Sequence, residues 1–205
     1  MALTQGDACG IGPEVIAKLF GTPEATGCFV VGDVAVMRRA AAWVGGLLTV
    51  ARIDSPADAW ATPPRCIPVW QPQGLPALCE LPPGRIDARA GAAAAQCIRE
   101  AVAMARRDEV AGIVTAPIHK EALAAAGVDF PGHTEMLQAL AADPPPAVRM
   151  MLANQELRTV LVTIPCRCVA PLTPSRMTPC STPCASRMLL RPDGASRRRA
   201  SPWRG

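Results

Sequence analysis

The sequence predicts an α/β fold built on a largely parallel sheet. Three observations carry that expectation. Compact apolar runs, CFVVG (28–32) and VAGIVTAP (110–117), have the length and the Val and Ile content of buried strands. Segments of helical periodicity alternate with them. The first strand-like run passes straight into a glycine loop and a helix, TQGDACGIGPEVIAKLF (4–20).

Taken in order, ALTQ (2–5) reads as the end of a short strand. Pro13 suits the first turn of a helix, where its missing N–H costs nothing, and that helix runs through EVIAKLF to Gly21. After CFVVG, Asp33 is the predicted N-cap of VAVMRRAAAWVG. LLTVARI (47–53) is a further strand, and the Pro-rich stretch 54–86 is mostly loop with a strand at IPVW. An Ala-rich helix is expected over about 87–107. VAGIVTAP then reads as the clearest buried strand, closed by Pro117 and followed by a short helix, KEALAAAG. A helix over 133–141 follows VDFPG. Two last strands, AVRMMLAN and LRTVLVTI, are joined by a tight turn around Asn154 and Gln155.

The chain has 205 residues, enough for one large domain or two small ones. It is 50% hydrophobic but only 3% aromatic, so the core must rest on Ala, Val, Leu and Ile. No apolar run is long enough to cross a bilayer, and the start lacks the basic and apolar regions of a secretory signal. A soluble cytoplasmic protein without a membrane partner is expected, with its nine cysteines reduced. The net charge of +4 is uneven: residues 165–205 carry eight Arg against Asp193, a charge of +7, which leaves about −3 on residues 1–164. The basic character therefore belongs to the end of the chain, and no nucleic-acid partner is expected.

The alternation stops at residue 164. Residues 165–205 hold seven Pro, eight Arg and four Cys, with one Val and neither Ile nor Phe. Such a segment cannot bury enough apolar surface to offset its ordering entropy, so it is expected to be a disordered tail beside an ordered part at 1–164. Cys166, Cys168, Cys180 and Cys184 would supply four thiolates for zinc, but neither pair has C-x-x-C spacing and prolines crowd both. A basic solvated end is the simpler reading of SRRRASPWRG (196–205) than electrostatic contact with nucleic acid.

Sites in open α/β sheets form at the carboxyl ends of strands. Three loops are predicted there: GDACGIGPE (6–14), TAPIHK (115–120) and FPGHTE (130–135), and the two histidines, His119 and His133, lie in the latter two. The glycine loop is neither G-x-G-x-x-G nor a P-loop. It is read either as a plain strand-to-helix turn or as an anion site at a helix start. In TAPIHK, Thr115, His119 and Lys120 either meet a phosphate or carboxylate or form a solvated helix start. In GHTE, His133 and Thr134 are either a donor pair for an anionic oxygen or an ordinary loop residue and an N-cap.

In this order and spacing, LTQGDACGIGPEVIAKL, GIVTAPIHKEALAAAGVDFPGHTEML and RMMLANQELRTVLVTI resemble the 4-hydroxythreonine-4-phosphate dehydrogenase family of pyridoxine (vitamin B6) biosynthesis. The resemblance covers residues 1 to about 164, with Ala8-Cys9 where that family has Pro-Ala. It implies the N-terminal part of a three-layer fold like that of isocitrate and isopropylmalate dehydrogenases, and a homodimer with sites built from both subunits. It implies oxidation of 4-phosphooxy-L-threonine with NAD or NADP, with a divalent metal (zinc, magnesium or cobalt), and decarboxylation to 3-amino-2-oxopropyl phosphate. A sister group acting on D-threonate or D-erythronate 4-phosphate shares these loops. By the match, His133 and Thr134 are substrate-binding residues and Lys120 an anion contact.

The resemblance also implies three metal-binding histidines, the first at position 165, where this chain has Pro165. The other two would lie in a later half, so no metal ligand is assigned and catalytic and cofactor-binding residues stay unassigned. Loss of pattern at this point, in a segment rich in Arg, Pro, Ser and Cys, suggests a reading-frame shift near codon 164. Translation of the other two frames is expected to show a Thr-x-His and the missing α/β half. On this reading the chain is a truncated, inactive relative, or a non-catalytic fragment that retains phosphate affinity.

Overall fold

The structure is a computed structural model that describes residues 1–160. They fall into two units, Met1–Val148 and a second beginning at Arg149. The boundary expected at 164 lies outside the described residues, as do the predicted tail, Pro165 and the four cysteines considered for zinc.

The first unit holds five parallel strands: β1 (Ala2–Thr4), β2 (Phe29–Val31), β3 (Thr49–Ile53), β4 (Cys66–Trp70) and β5 (Ile113–Thr115), in the order β3-β4-β2-β1-β5. Side chains alternate across this sheet. Leu3, Val30, Ile67 and Val69 join Ile16 and Ala17 of α1 (Gly12–Leu19) and Met37 and Ala40 of α2 (Val34–Trp43) in one core. Ala2, Phe29, Val31 and Ile53 face the other way, onto Cys97, Ala101 and Met104 of α3 (Ala88–Arg106). Ile98 and Val102 of α3 then pack with Leu123 of α4 (Lys120–Ala125) and Met136 of α5 (His133–Ala141). The result is the three-layer α/β arrangement expected. Small residues set its spacing: a Cβ on Gly91 of α3 would run into the Ala122 carbonyl of α4.

Helix starts follow the sequence closely. Pro13 lies in the first turn of α1, and Asp33 caps α2 by accepting from the Val36 N–H at 2.8 Å. Two residues without a sequence signal complete that cap. Gln5 Oε1 accepts from the Asp33 N–H at 2.6 Å, and Gln71 Oε1 from the Val34 N–H at 3.0 Å. Asp87 caps α3 by accepting from the Arg89 N–H.

The expectation of a buried strand at 110–117 is corrected. Only Ile113–Thr115 is strand, Ile113 and Thr115 are half-buried, and Val114 is 48% exposed. Among the described residues β5 pairs with β1 alone, which makes it an edge. Apolar composition reports what a strand can bury, not whether a neighbour is there to bury it.

In the second unit, β6 (Met151–Ala153) and β7 (Arg158–Val160) form an antiparallel hairpin. Asn154 makes the predicted turn: its Oδ1 accepts from the N–H groups of Glu156 and Leu157, and its own N–H donates to the Leu157 carbonyl at 2.9 Å. No described helix is long and apolar enough to cross a membrane.

Candidate functional site

Strand β1 leads into α1 on one face of the sheet. Its neighbour β5 leads into α4, which packs on α3 over the opposite face. Chains leaving adjacent parallel strands toward opposite faces open a crevice at the strands' carboxyl ends. The loops bordering it are the glycine loop, 6–12, and Ala116–Lys120.

These two loops are in direct contact. The Asp7 N–H donates to the Pro117 carbonyl at 3.0 Å, and the Ala116 N–H to the Thr4 carbonyl at 3.2 Å. Gly6 adopts φ +73°, and a Cβ there would collide with the Pro117 carbonyl oxygen. A Cβ on Gly12 would lie 2.6 Å from the Gln5 carbonyl oxygen and 3.2 Å from Ala116 Cβ. The glycines thus admit the protein's own backbone. They form a strand-to-helix turn that locks the first loop onto the second, and the space their missing side chains leave is not open to a dinucleotide.

The turn is braced from below. Asp7 is buried, and its Oδ1 accepts from the Cys9 N–H at 2.9 Å. Arg39 of α2 donates from Nη2 to the Ala8 carbonyl at 2.7 Å and from Nη1 to the Cys79 and Leu81 carbonyls at 2.8 and 2.9 Å. Its guanidinium lies 5.2 Å from the Trp43 ring centre. The Gly84 N–H donates to the Cys9 carbonyl at 2.7 Å. Ala8 and Cys9 pack with Val36, Leu78, Leu81, Ala90 and Ala93. Burial, seconded by the Asp7 carboxylate, pushes the Cys9 thiol pKa up, and Cys9 packs within this buried cluster.

Two of the predicted site residues, Lys120 and His133, start the helices α4 and α5. His133 begins α5; burial lowers its pKa, while a hydrogen bond with the Ala116 backbone works the other way. Its Nε2 is buried and has no partner. Ala116 also touches the glycine loop, so His133 meets the other two loops through it. The N-cap position of α5 is Gly132, which corrects the alternative that Thr134 is the cap; Thr134 is the second helical residue, half-buried. Lys120 begins α4, and its Cε lies 3.9 Å from the place a Cβ on Gly132 would occupy. Lys120 therefore runs beside the His133–Thr134 turn. Glu135 Oε2, at 3.6 Å from the same place, closes the group. His119 takes the N-cap position of α4 without a side-chain cap bond and is exposed, and Thr115 ends β5 half-buried.

Sequence reasoning missed Arg39, Gln5 and Glu135. Arg39 carries no local signal, because a helical Arg usually faces solvent. Glu135 was visible three residues after Gly132, the spacing at which a Glu reaches back toward a helix start. Among the described residues no three His, Cys, Asp or Glu side chains converge on a possible metal site.

The family model described as pyridoxal phosphate biosynthetic protein PdxA matches residues 24–180, starting after the glycine loop and running past residue 164, where the sequence alone predicts the pattern to stop. A 4-hydroxythreonine-4-phosphate dehydrogenase of Beijerinckia indica is 45% identical over 168 residues, 81% of this chain and 48% of the relative. A D-threonate 4-phosphate dehydrogenase of Cupriavidus necator is 41% identical over 169 residues, 80% of this chain and 48% of the relative. The crystal structure of a 4-hydroxythreonine-4-phosphate dehydrogenase from Burkholderia phymatum matches with a TM-score of 0.70 at 37% identity, covering 78% of this chain and 48% of that one. The chain thus spans about half the length of the relatives it matches. With the parallel three-layer sheet and the crevice loops in the same chain, the conclusion is that it belongs to the pyridoxal phosphate biosynthetic protein PdxA family.

Proposed function

We propose that this chain carries the phosphorylated-substrate half of a dehydrogenase site. The reaction is oxidation of 4-phosphooxy-L-threonine with NAD or NADP, and decarboxylation to 3-amino-2-oxopropyl phosphate, in pyridoxine 5'-phosphate biosynthesis. The observation that carries the reading is the buried, unpartnered Nε2 of His133 at the switch-point crevice, beside Lys120 and Thr134. A buried polar atom without a partner is costly unless a ligand supplies one. Lys120 offers a point charge for a phosphate or carboxylate, and the Thr134 hydroxyl and His133 offer directional hydrogen bonds. Substrates of both kinds of relative share a 4-phosphate by name, and D-threonate or D-erythronate 4-phosphate is the alternative.

The family reaction calls for a hydride acceptor and a divalent metal. Among the described residues no three metal ligands converge, and the space at Gly6 and Gly12 is taken by protein backbone, so no residue is assigned to either group. The role assigned here is therefore binding and orientation: Lys120 fixes the anionic end, and His133 and Thr134 fix its neighbour. The full activity belongs to a soluble cytoplasmic homodimer, and this chain alone is inactive.

Two assays separate these claims. Purified chain should bind 4-phosphooxy-L-threonine but give no detectable NAD or NADP reduction with zinc, magnesium or cobalt. Turnover by this chain overturns the claim of inactivity, and absence of binding overturns the site.

A further inference from the structure

A hollow of about 440 Å³ lies at the other end of the sheet, where β2 and β4 begin at Phe29 and Cys66. That volume falls within the range of small-molecule sites. Three features set it apart from an incidental dent. The first is Trp60, which is 73% exposed and borders the hollow. Its benzo edge rests on Gly27, where φ is +73° and a Cβ would lie 2.5 Å from Trp60 Cη2. The chain holds a large aromatic ring in water at a place only glycine permits.

The second is Arg65, which sits on the rim with φ +62°, a left-handed conformation that a side chain disfavours. The backbone around it is over-determined. The Thr49 N–H donates to the Arg65 carbonyl at 3.1 Å, the Cys66 N–H donates to the Pro63 carbonyl at 3.2 Å, and Pro63 and Pro64 come just before. Strain of this kind persists where the surroundings enforce it, and it clusters at ligand sites. The third feature is charge. Arg65 forms no ion pair among the described residues, and no carboxylate lines the hollow. The hydroxyls of Thr22, Thr26 and Thr62 already donate to the carbonyls of Leu19, Pro23 and Ala59.

We infer that the hollow between Trp60 and Arg65 is a second binding site, for a small aromatic molecule that carries one negative charge. The ring stacks against Trp60 and the anionic group pairs with the Arg65 guanidinium. The site is independent of the crevice at the carboxyl ends.

The test is a titration of the full chain with indole-3-acetate, followed by the indole N–H resonances of its four tryptophans, with the Trp60 resonance assigned by Trp60→Leu. The Trp60 signal should shift saturably, and that of Trp43, which is also 52% exposed, should not. Arg65→Gly removes the guanidinium while suiting the positive φ, so the fold is kept and affinity should fall at least about fivefold; Arg65→Lys should recover part of it. Tryptamine, an aromatic cation, and cyclohexylacetate, a non-aromatic anion, should bind more weakly than indole-3-acetate. The inference is overturned by no Trp60 shift, by equal shifts at Trp43, by unchanged affinity in Arg65→Gly, or by equal binding of either control.

Discussion

Arg39 Nη2 reaches the Ala8 carbonyl at 2.7 Å, and this bond ties helix α2 to the glycine loop at the crevice. The same guanidinium holds the Cys79 and Leu81 carbonyls, so one side chain joins α2, the glycine loop and the 79–81 segment. Replacing it with Leu leaves three carbonyls without their donor. Arg39→Leu should lower unfolding stability by about 2–4 kcal/mol in urea denaturation, with Arg39→Lys intermediate. A loss below about 0.5 kcal/mol would show that the clamp is not a determinant of the fold.

The contact between Gly6 and Pro117 predicts that position 6 tolerates no side chain. Gly6→Ala combines a strained φ with a backbone collision and should cost about 2 kcal/mol or more. Gly10→Ala is the control, since a Cβ there meets only Asp7, at 3.4 Å and beyond, with φ outside the left-handed region. Equal thermal stability of the two variants would contradict the packing role assigned to Gly6.

Burial lowers the folded-state pKa of His133 from the usual 6.5, so the unfolded chain takes up the proton more readily. His133 therefore costs stability as the pH falls below about 6.5, and the loss is complete once the pH is below the folded-state value. Unfolding measured across this window should show a slope that His133→Asn removes. With two histidines in the chain, imidazole NMR reports the shift directly, and a His133 pKa at or above 6.5 contradicts the burial argument.

Thiol chemistry should follow exposure and pKa. Cys79 is exposed, Cys9 has its pKa raised, and burial pushes Cys97 up to about 12. In folded chain at about pH 8, iodoacetamide should alkylate Cys79 on the order of a hundredfold faster than Cys97, with Cys9 also protected. Peptide mass analysis reads the order, and labelling of Cys9 as fast as Cys79 would mean that the glycine loop opens.

Local chemistry was legible in the sequence because local rules govern it. Pro13 at a helix start, Asp33 as a cap and Asn154 in a hairpin turn are each decided within four residues. Two of the three site loops follow strands, β1 and β5, while the third follows helix α4, and Lys120 lies beside the Gly132 turn from which His133 starts α5. Long-range choices were not legible. The edge position of β5 depends on what lies beside it, and the partners of Gln5 and Arg39 are 28 and 31 to 42 residues away. The glycine loop was open to both a plain turn and an anion site because glycine reports close approach without saying what approaches; at Gly6 it is Pro117.

Titration of the purified chain with 4-phosphooxy-L-threonine, followed through its two imidazole resonances, tests the central claim most directly. A substrate held by His133 and Lys120 should give a saturable shift of the His133 signal that is lost in Lys120→Ala, with little change at exposed His119. An unmoved His133 signal, or affinity unchanged in both Lys120→Ala and His133→Asn, would contradict it.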